Sequence, residues 1–220
     1  MQPFTIPAKY DAFLFDLNGT MIDDMHYHIR AWHDILNSLG ANITMERMKM
    51  ECYGKNDELL ERMFPGRFTA AEKKQMSCDK EKTYQQAFLQ ELKLIDGLGR
   101  LLGEARDRGI RMAIGSAAIM FNIDFVLDNL SIRSYFDALV SADDVTRSKP
   151  DPETFLRCAE ALSVDPSRCL VFEDAPKGVE SAARAGMDAI VILGGHGEEE
   201  FAGFENILHM APDFTGMHLP

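Results

Sequence analysis

Four places along the chain end an apolar run in side chains suited to holding a phosphoryl group. Asp16 follows the run from Tyr10 to Phe15, Ser116 follows 110–115, Lys149 stands in the loop after 137–144, and Glu173 and Asp174 close the run that begins at Arg168. In combination they suit transfer of a phosphoryl group to a carboxylate. Asp16 would attack phosphorus and form an aspartyl phosphate, which divides one difficult displacement into two easier ones. A hard divalent cation, Mg²⁺, would bind Asp16, a backbone carbonyl and Asp174, with Glu173 in or near its shell. Ser116 and Lys149 would hold the remaining phosphate oxygens, and Lys149 would also offset the repulsion between Asp16 and the phosphate. Gly19 and its neighbours would leave backbone N–H groups to point at that phosphate.

Taken singly, each residue has a plainer explanation. Asp16 is a turn or cap residue, and Ser116 a helix N-cap. Lys149 is a solvated loop lysine, and Glu173-Asp174 an acidic start to the next helix. Their order at successive run ends is what favours the joint reading, because ligands of parallel α/β sheets collect at the carboxyl ends of the strands.

The elements that must position these residues are visible as short runs, apolar almost throughout: YDAFLFD at 10–16, IRMAIGS at 110–116, DALVSAD at 137–143, RCLVFED at 168–174 and DAIVIL at 188–193. Such runs suit parallel strands covered on both faces. Between them, 98–108, 119–129, 151–162 and 175–185 carry apolar positions at helical spacing, with Gly109 and Gly186 where helix stops belong. The alternation predicts an α/β fold, a Rossmann-like doubly wound parallel sheet.

From Met25 to Leu92 the rhythm breaks. No strand pattern occurs there, only helix-compatible sequence punctuated by Gly40, Pro65 and Gly66. The expectation is a core built from 1–24 and 93–220 with an all-helical cap domain inserted at 25–92. The cap would join at Asp23-Asp24 and Ile95-Asp96-Gly97 and could move as a lid. Trp32, Ile35, Leu36 and Leu39 share one face of its first helix and are expected in its core.

Composition narrows the partners. The 220 residues are 46% hydrophobic with a formal net charge of −12, enough for one sizeable core and a satellite. Lys and Arg never cluster beyond a pair, so neither nucleic acid nor an anionic membrane is an expected partner. Cys52, Cys78, Cys158 and Cys169 are widely spaced and suit reduced thiols. The segment MQPFTIPAKY lacks the pattern of a secretory leader, and no run of about 18 apolar residues occurs. A soluble, cytoplasmic protein is expected, and nothing demands more than a monomer. The histidines show no ligand spacing for zinc, and the 13 methionines read as core filler.

DLNGT at 16–20, GSAA at 115–118, SKPDPETF at 148–155 and VFEDAPKGVESAARAG at 171–186 together resemble the four signature motifs of the haloacid dehalogenase superfamily of phosphohydrolases. The helical insertion is similar to the cap of the beta-phosphoglucomutase-like subgroup. HYHIRAW at 26–32 resembles that subgroup's hinge helix, which contains His28, and YGKNDE at 53–58 resembles its substrate-facing loop, which contains Lys55 and Asn56. By this resemblance Asp16 is the nucleophile, Ser116 and Lys149 hold phosphate, and Glu173 and Asp174 bind the metal. Asn18 departs from the pattern. The family position gives a backbone carbonyl to the metal, and its acidic side chain protonates the leaving group and then activates water. An amide keeps the carbonyl but cannot shuttle a proton at neutral pH, and general acid–base catalysis is typically worth about 10²–10⁴-fold.

Four explanations of Asn18 stand open: an activated phosphate as substrate, a substitute acid, a binder without turnover, or an introduced change that traps the aspartyl phosphate. His28 and Asp24 are the candidate substitutes, although a hinge histidine and a helix-capping Asp23-Asp24 pair are the simpler readings. Phosphonate-cleaving members of the superfamily lack the second acid and use a cap lysine in a Schiff base, which makes Lys55 a further candidate. The expected function is Mg²⁺-dependent hydrolysis of a small phosphorylated metabolite. The alternatives are a phosphosugar mutase and a phosphometabolite-binding protein.

Overall fold

The structure, a computed structural model, describes residues 3–220. Two compact units are present, one made from the chain up to Asp23 and from Lys93 onward, the other from Asp24–Leu92.

In chain order the first unit contains strands β1 (Phe4–Thr5), β2 (Ala12–Phe15), β3 (Arg111–Gly115), β4 (Ala138–Val140), β5 (Cys169–Glu173), β6 (Asp188–Ile192), β7 (Ile207–Ala211) and β8 (Met217–His218). Six of them form a fully parallel sheet in the order β4-β3-β2-β5-β6-β7, while β1 pairs with β8. The apolar runs form strands because both faces are covered, and every residue of β2 and β5 is buried. Alternation along β2 sends its side chains to opposite faces. Ala12 and Leu14 join Val171, Phe155 and Val179 in one cluster. Phe13 and Phe15 pack against Phe172, with ring centroids 5.4 and 4.7 Å away. Full burial of side chains of this size is worth about 1.5–3 kcal/mol each.

The helices of this unit, which in chain order follow four helices of the second unit (α1–α4), are α5 (Leu98–Asp107), α6 (Met120–Asn129), α7 (Glu153–Leu162) and α8 (Pro176–Arg184). Gly109 (φ 71°) and Gly186 (φ 75°) lie just past α5 and α8 in the left-handed conformation, the helix stop that glycine adopts without strain. The acidic HGEEEF stretch forms only a short 3₁₀ turn, Glu198–Phe201.

The second unit consists of α1 (Met25–Ser38), α2 (Met45–Glu51), α3 (Asn56–Met63) and α4 (Ala70–Phe88). Trp32 and Leu36 are buried in its core with Met48, Leu59 and Leu60, and Ile35 packs at the margin. Leu39 falls just past the end of α1, as its C-cap. The unit begins at Asp24, one residue earlier than the sequence boundary, because the Asp24 side chain is engaged by helical-unit residues. Among the described residues no helix is long and apolar enough to cross a membrane, and all four cysteines are free thiols.

Candidate active site

The parallel pairing of β2 with β3 and β5 carries Asp16, Ser116 and Glu173-Asp174 to one edge of the sheet, the carboxyl ends of the three strands. Asp16 extends the ladder one step, its N–H donating to Phe172 O at 3.0 Å. Lys149 arrives from the loop before α7. Its ammonium donates to Asp16 Oδ1 and Glu173 Oε1, both at 2.7 Å, and lies 4.5 Å from the centre of the Phe155 ring. It is therefore no solvated loop lysine. Burial works against its charge, but Asp16 and then Glu173 hold its pKa above the ordinary lysine value.

Asp174 is 5% exposed and accepts a hydrogen bond from Thr20 Oγ1 at 3.1 Å. Burial, with Glu173 and then Asp16 nearby, pushes its carboxyl well above the usual range, against the pull of Thr20 and Lys149. Three carboxyl groups thus crowd a nearly dry place in which the one ammonium bonds only Asp16 and Glu173. That excess of buried negative charge is what a divalent cation would relieve. Among the described residues no three His, Cys, Asp or Glu side chains form a ready-made cage. The donor set fits Mg²⁺, which takes one or two carboxylates and keeps several waters.

Three details go beyond the sequence reading. Glu173 spends Oε1 on Lys149 and Oε2 on the N–H groups of Asp174 and Ala175, at 2.8 Å each. It braces the lysine and the loop, while Oε1, with one hydrogen bond, keeps a lone pair that a cation could take. Gly19 does not offer its N–H to a phosphate, because that group donates to Ile22 O at 2.9 Å. Residues 17–22 fold back in a tight turn, with Gly19 at φ 82° and Asn18 bridged to Ile22, and the turn consumes the donor. Ser116 does not cap α6, whose N-cap position is Ile119. Its hydroxyl accepts from Ala118 N–H at 3.1 Å, so it keeps its own proton to give. Ser116 is buried.

His28 and Asn56 belong to a buried polar cluster of the helical unit. His28 Nε2 lies 3.1 Å from Asp24 Oδ2 and Nδ1 faces the Lys80 ammonium. The Asp24 carboxylate can only accept, so the Nε2–H of His28 donates to it. Lys80 donates to Glu81 Oε1 at 2.9 Å, and Asn56 Nδ2 donates to Ser77 Oγ at 2.7 Å and to the same Glu81 oxygen at 2.9 Å. Tyr84 stacks on His28 and donates to Asp24, and burial followed by Asp24 raises the phenol's pKa. Asp24 stands at the N-cap position of α1 but makes no capping bond with its side chain. Lys55 stands at the N-cap of α3, where its N–H donates to Glu58 Oε2 at 3.0 Å.

Sequence reasoning did not single out Thr20, Lys80, Glu81 or Tyr84. The signal for the last three was the spacing 77, 80, 81, 84, 88 along α4, all buried, which mixes polar and aromatic residues on one face. Burial pushes the Glu81 carboxyl up, but Lys80, His28 and Asn56 outweigh it and leave its pKa below the ordinary glutamate value. Its contribution to stability is therefore present above about pH 4.3, the unperturbed value, and is lost as pH falls through the lowered folded value. Lys80→Ala should cost about 3–5 kcal/mol by leaving Glu81 buried without its ammonium. Denaturant melts of the variant by circular dichroism at neutral pH test this, and an unchanged midpoint would rule it out.

A parallel α/β core with a dense acidic centre at the carboxyl edge of its sheet defines a class of enzyme. Residues 10–186 match the haloacid dehalogenase-like hydrolases, and the chain belongs to that family. The fructose-1-phosphate phosphatase YqaB of Escherichia coli is 30% identical over 83% of this chain and 96% of its own length. The beta-phosphoglucomutase of Bacillus subtilis is 32% identical over 93% and 91% respectively. Among solved structures, an Asp-to-Asn mutant of CbbY from Rhodobacter sphaeroides in complex with xylulose-(1,5)bisphosphate superposes with a TM-score of 0.80 and 25% identity, covering 94% of this chain and 95% of that one.

Proposed function

We propose that this chain is a Mg²⁺-dependent phosphatase for a small phosphorylated metabolite, working through an aspartyl phosphate on Asp16 with its proton transfers impaired by Asn18. The observation that carries the reading is the Lys149 ammonium shared between Asp16 and Glu173, beside buried Asp174. Lys149 orients the Asp16 carboxylate and offsets its repulsion by an incoming phosphate. Ser116 gives its hydroxyl proton to a phosphate oxygen. Asp16, Asp174 and the Asn18 carbonyl would hold Mg²⁺, which supplies Lewis-acid stabilisation of the charge on the transferring group. Glu173 acts through Lys149.

Asp16 attacks phosphorus, the ester oxygen departs with the bonding pair, and water later releases phosphate from Asp16. The departing oxygen needs a proton and the water needs a base, and the Asn18 amide supplies neither. The relatives named for fructose 1-phosphate and beta-phosphoglucose chemistry support a phosphosugar as the substrate class. A mutase is the second reading, favoured by the Bacillus relative and weakened by the repeated proton transfers it requires at position 18.

Fresh protein incubated with acetyl phosphate, an aryl phosphate and several sugar phosphates should release phosphate over multiple turnovers with Mg²⁺ and none after chelation. Metal-dependent binding without release of phosphate from any of these esters would instead make the chain a binding protein. Turnover retained in Lys55→Ala would count against a Schiff-base route.

A further inference from the structure

Gly178 lies inside α8 and is not among the glycines with positive φ, so its backbone needs no glycine, and helix propensity would favour alanine there. What the position lacks is room. A Cβ at 178 would stand 1.8 Å from Glu173 Oε1, 1.9 Å from the carboxyl carbon and 2.5 Å from Oε2. The tip of a glutamate ordinarily swings aside, but this one is tied at both oxygens, to Lys149 and to two backbone N–H groups, and Glu173 is 2% exposed.

We propose that Gly178 is a positioning residue for the phosphoryl-transfer site: the bare first turn of α8 is the notch that seats the Glu173 carboxylate and, through it, holds Lys149 against Asp16. The activity arm of this inference rests on the phosphatase reading, whereas the steric arm stands without it. A Cβ in the notch drives Glu173 off its three donors. Lys149 then loses the partner that fixes its distance from Asp16.

The test is a cycle of Gly178→Ala, Glu173→Asp and the double variant, each made in the Asn18→Asp background to give measurable turnover. Metal-free melting and kinetics with Mg²⁺ are read for all four proteins. Gly178→Ala should lower the melting midpoint, although propensity alone would raise it. It should also cut kcat by about 10²-fold, the cost of misplacing a catalytic group by about 1 Å, with a smaller change in KM. Aspartate is one methylene shorter and retreats from the new Cβ, so the double variant should recover part of both losses relative to Gly178→Ala.

A Gly178→Ala protein that melts at or above its parent and keeps its kcat overturns the proposal, as does a double variant no better than Gly178→Ala. If Gly178→Ala fails to fold, folding of the double variant supports the notch, and failure of both while Glu173→Asp folds overturns it. Absence of phosphate release from the Asn18→Asp parent sinks the functional reading alone, because the melting cycle still decides the steric one.

Discussion

Asn18→Asp is expected to raise steady-state phosphate release from sugar phosphates by about 10²–10⁴-fold, the usual worth of general acid–base catalysis. The gain arises in two steps. A sugar alkoxide is a poor leaving group, so the first displacement waits for a proton that the amide cannot give. Hydrolysis of the aspartyl phosphate waits for a base. Acetyl phosphate separates the steps, because its leaving group needs little protonation. With that substrate the chain as it stands should phosphorylate readily and then stall, giving a burst of acetate followed by slow release of phosphate, whereas Asn18→Asp should release acetate and phosphate together without a burst. Rapid-quench measurement of acetate beside stopped-flow detection of phosphate distinguishes the patterns. Equal rates for the two proteins on sugar phosphates would mean that another group performs the proton transfers. Asn18-Gly19 is a dipeptide prone to deamidation, so the mass of Asn18 must be checked in the sample used.

Asp16→Ala should remove turnover altogether, a loss on the order of 10⁴–10⁶-fold if the carboxylate is the nucleophile, as for other catalytic groups that act as a unit. The loss should not come from unfolding. Lys149 keeps Glu173 at 2.7 Å, and Asp174 loses one of the two carboxylates that crowd it, so the melting midpoint should stay close to the parent's. Lost activity with an unchanged melt places the defect in the chemistry. Activity that survives Asp16→Ala would exclude an aspartyl phosphate at this position.

Much of the sheet was legible in the sequence because its inner strands are buried on both faces, and continuous apolar runs such as AFLF and CLVF carry that signal. The edge was not. β7, Ile207–Ala211, is mostly half-buried and is interrupted by His209, and β1 and β8 are two residues each, too short for any periodicity to register. The acidic centre was readable as strand-end residues, since a parallel sheet carries them to one edge whatever the loops do.

What escaped was how each side chain is spent. Which oxygen of Glu173 faces Lys149, and the loss of the Gly19 N–H to Ile22, depend on loop geometry that residue types do not specify. Asp24 illustrates the same limit. An Asp before a helix is ordinarily a cap, yet here Tyr84, 60 residues away, competes for the carboxylate together with His28. Lys80 and Glu81 sit in a helix rich in charged residues, where burial of a lysine and a glutamate side by side is rare unless they pair.

The most direct test of phosphoryl transfer to Asp16 is intact-protein mass spectrometry of fresh protein quenched in acid after mixing with acetyl phosphate and Mg²⁺, followed by peptide mapping. The aspartyl-phosphate route predicts one added phosphoryl group on the peptide containing Asp16, accumulating in the Asn18 protein, scarce in Asn18→Asp and absent from Asp16→Ala. Sustained phosphate release with no adduct in the Asn18 protein, or an adduct that persists in Asp16→Ala, would contradict it.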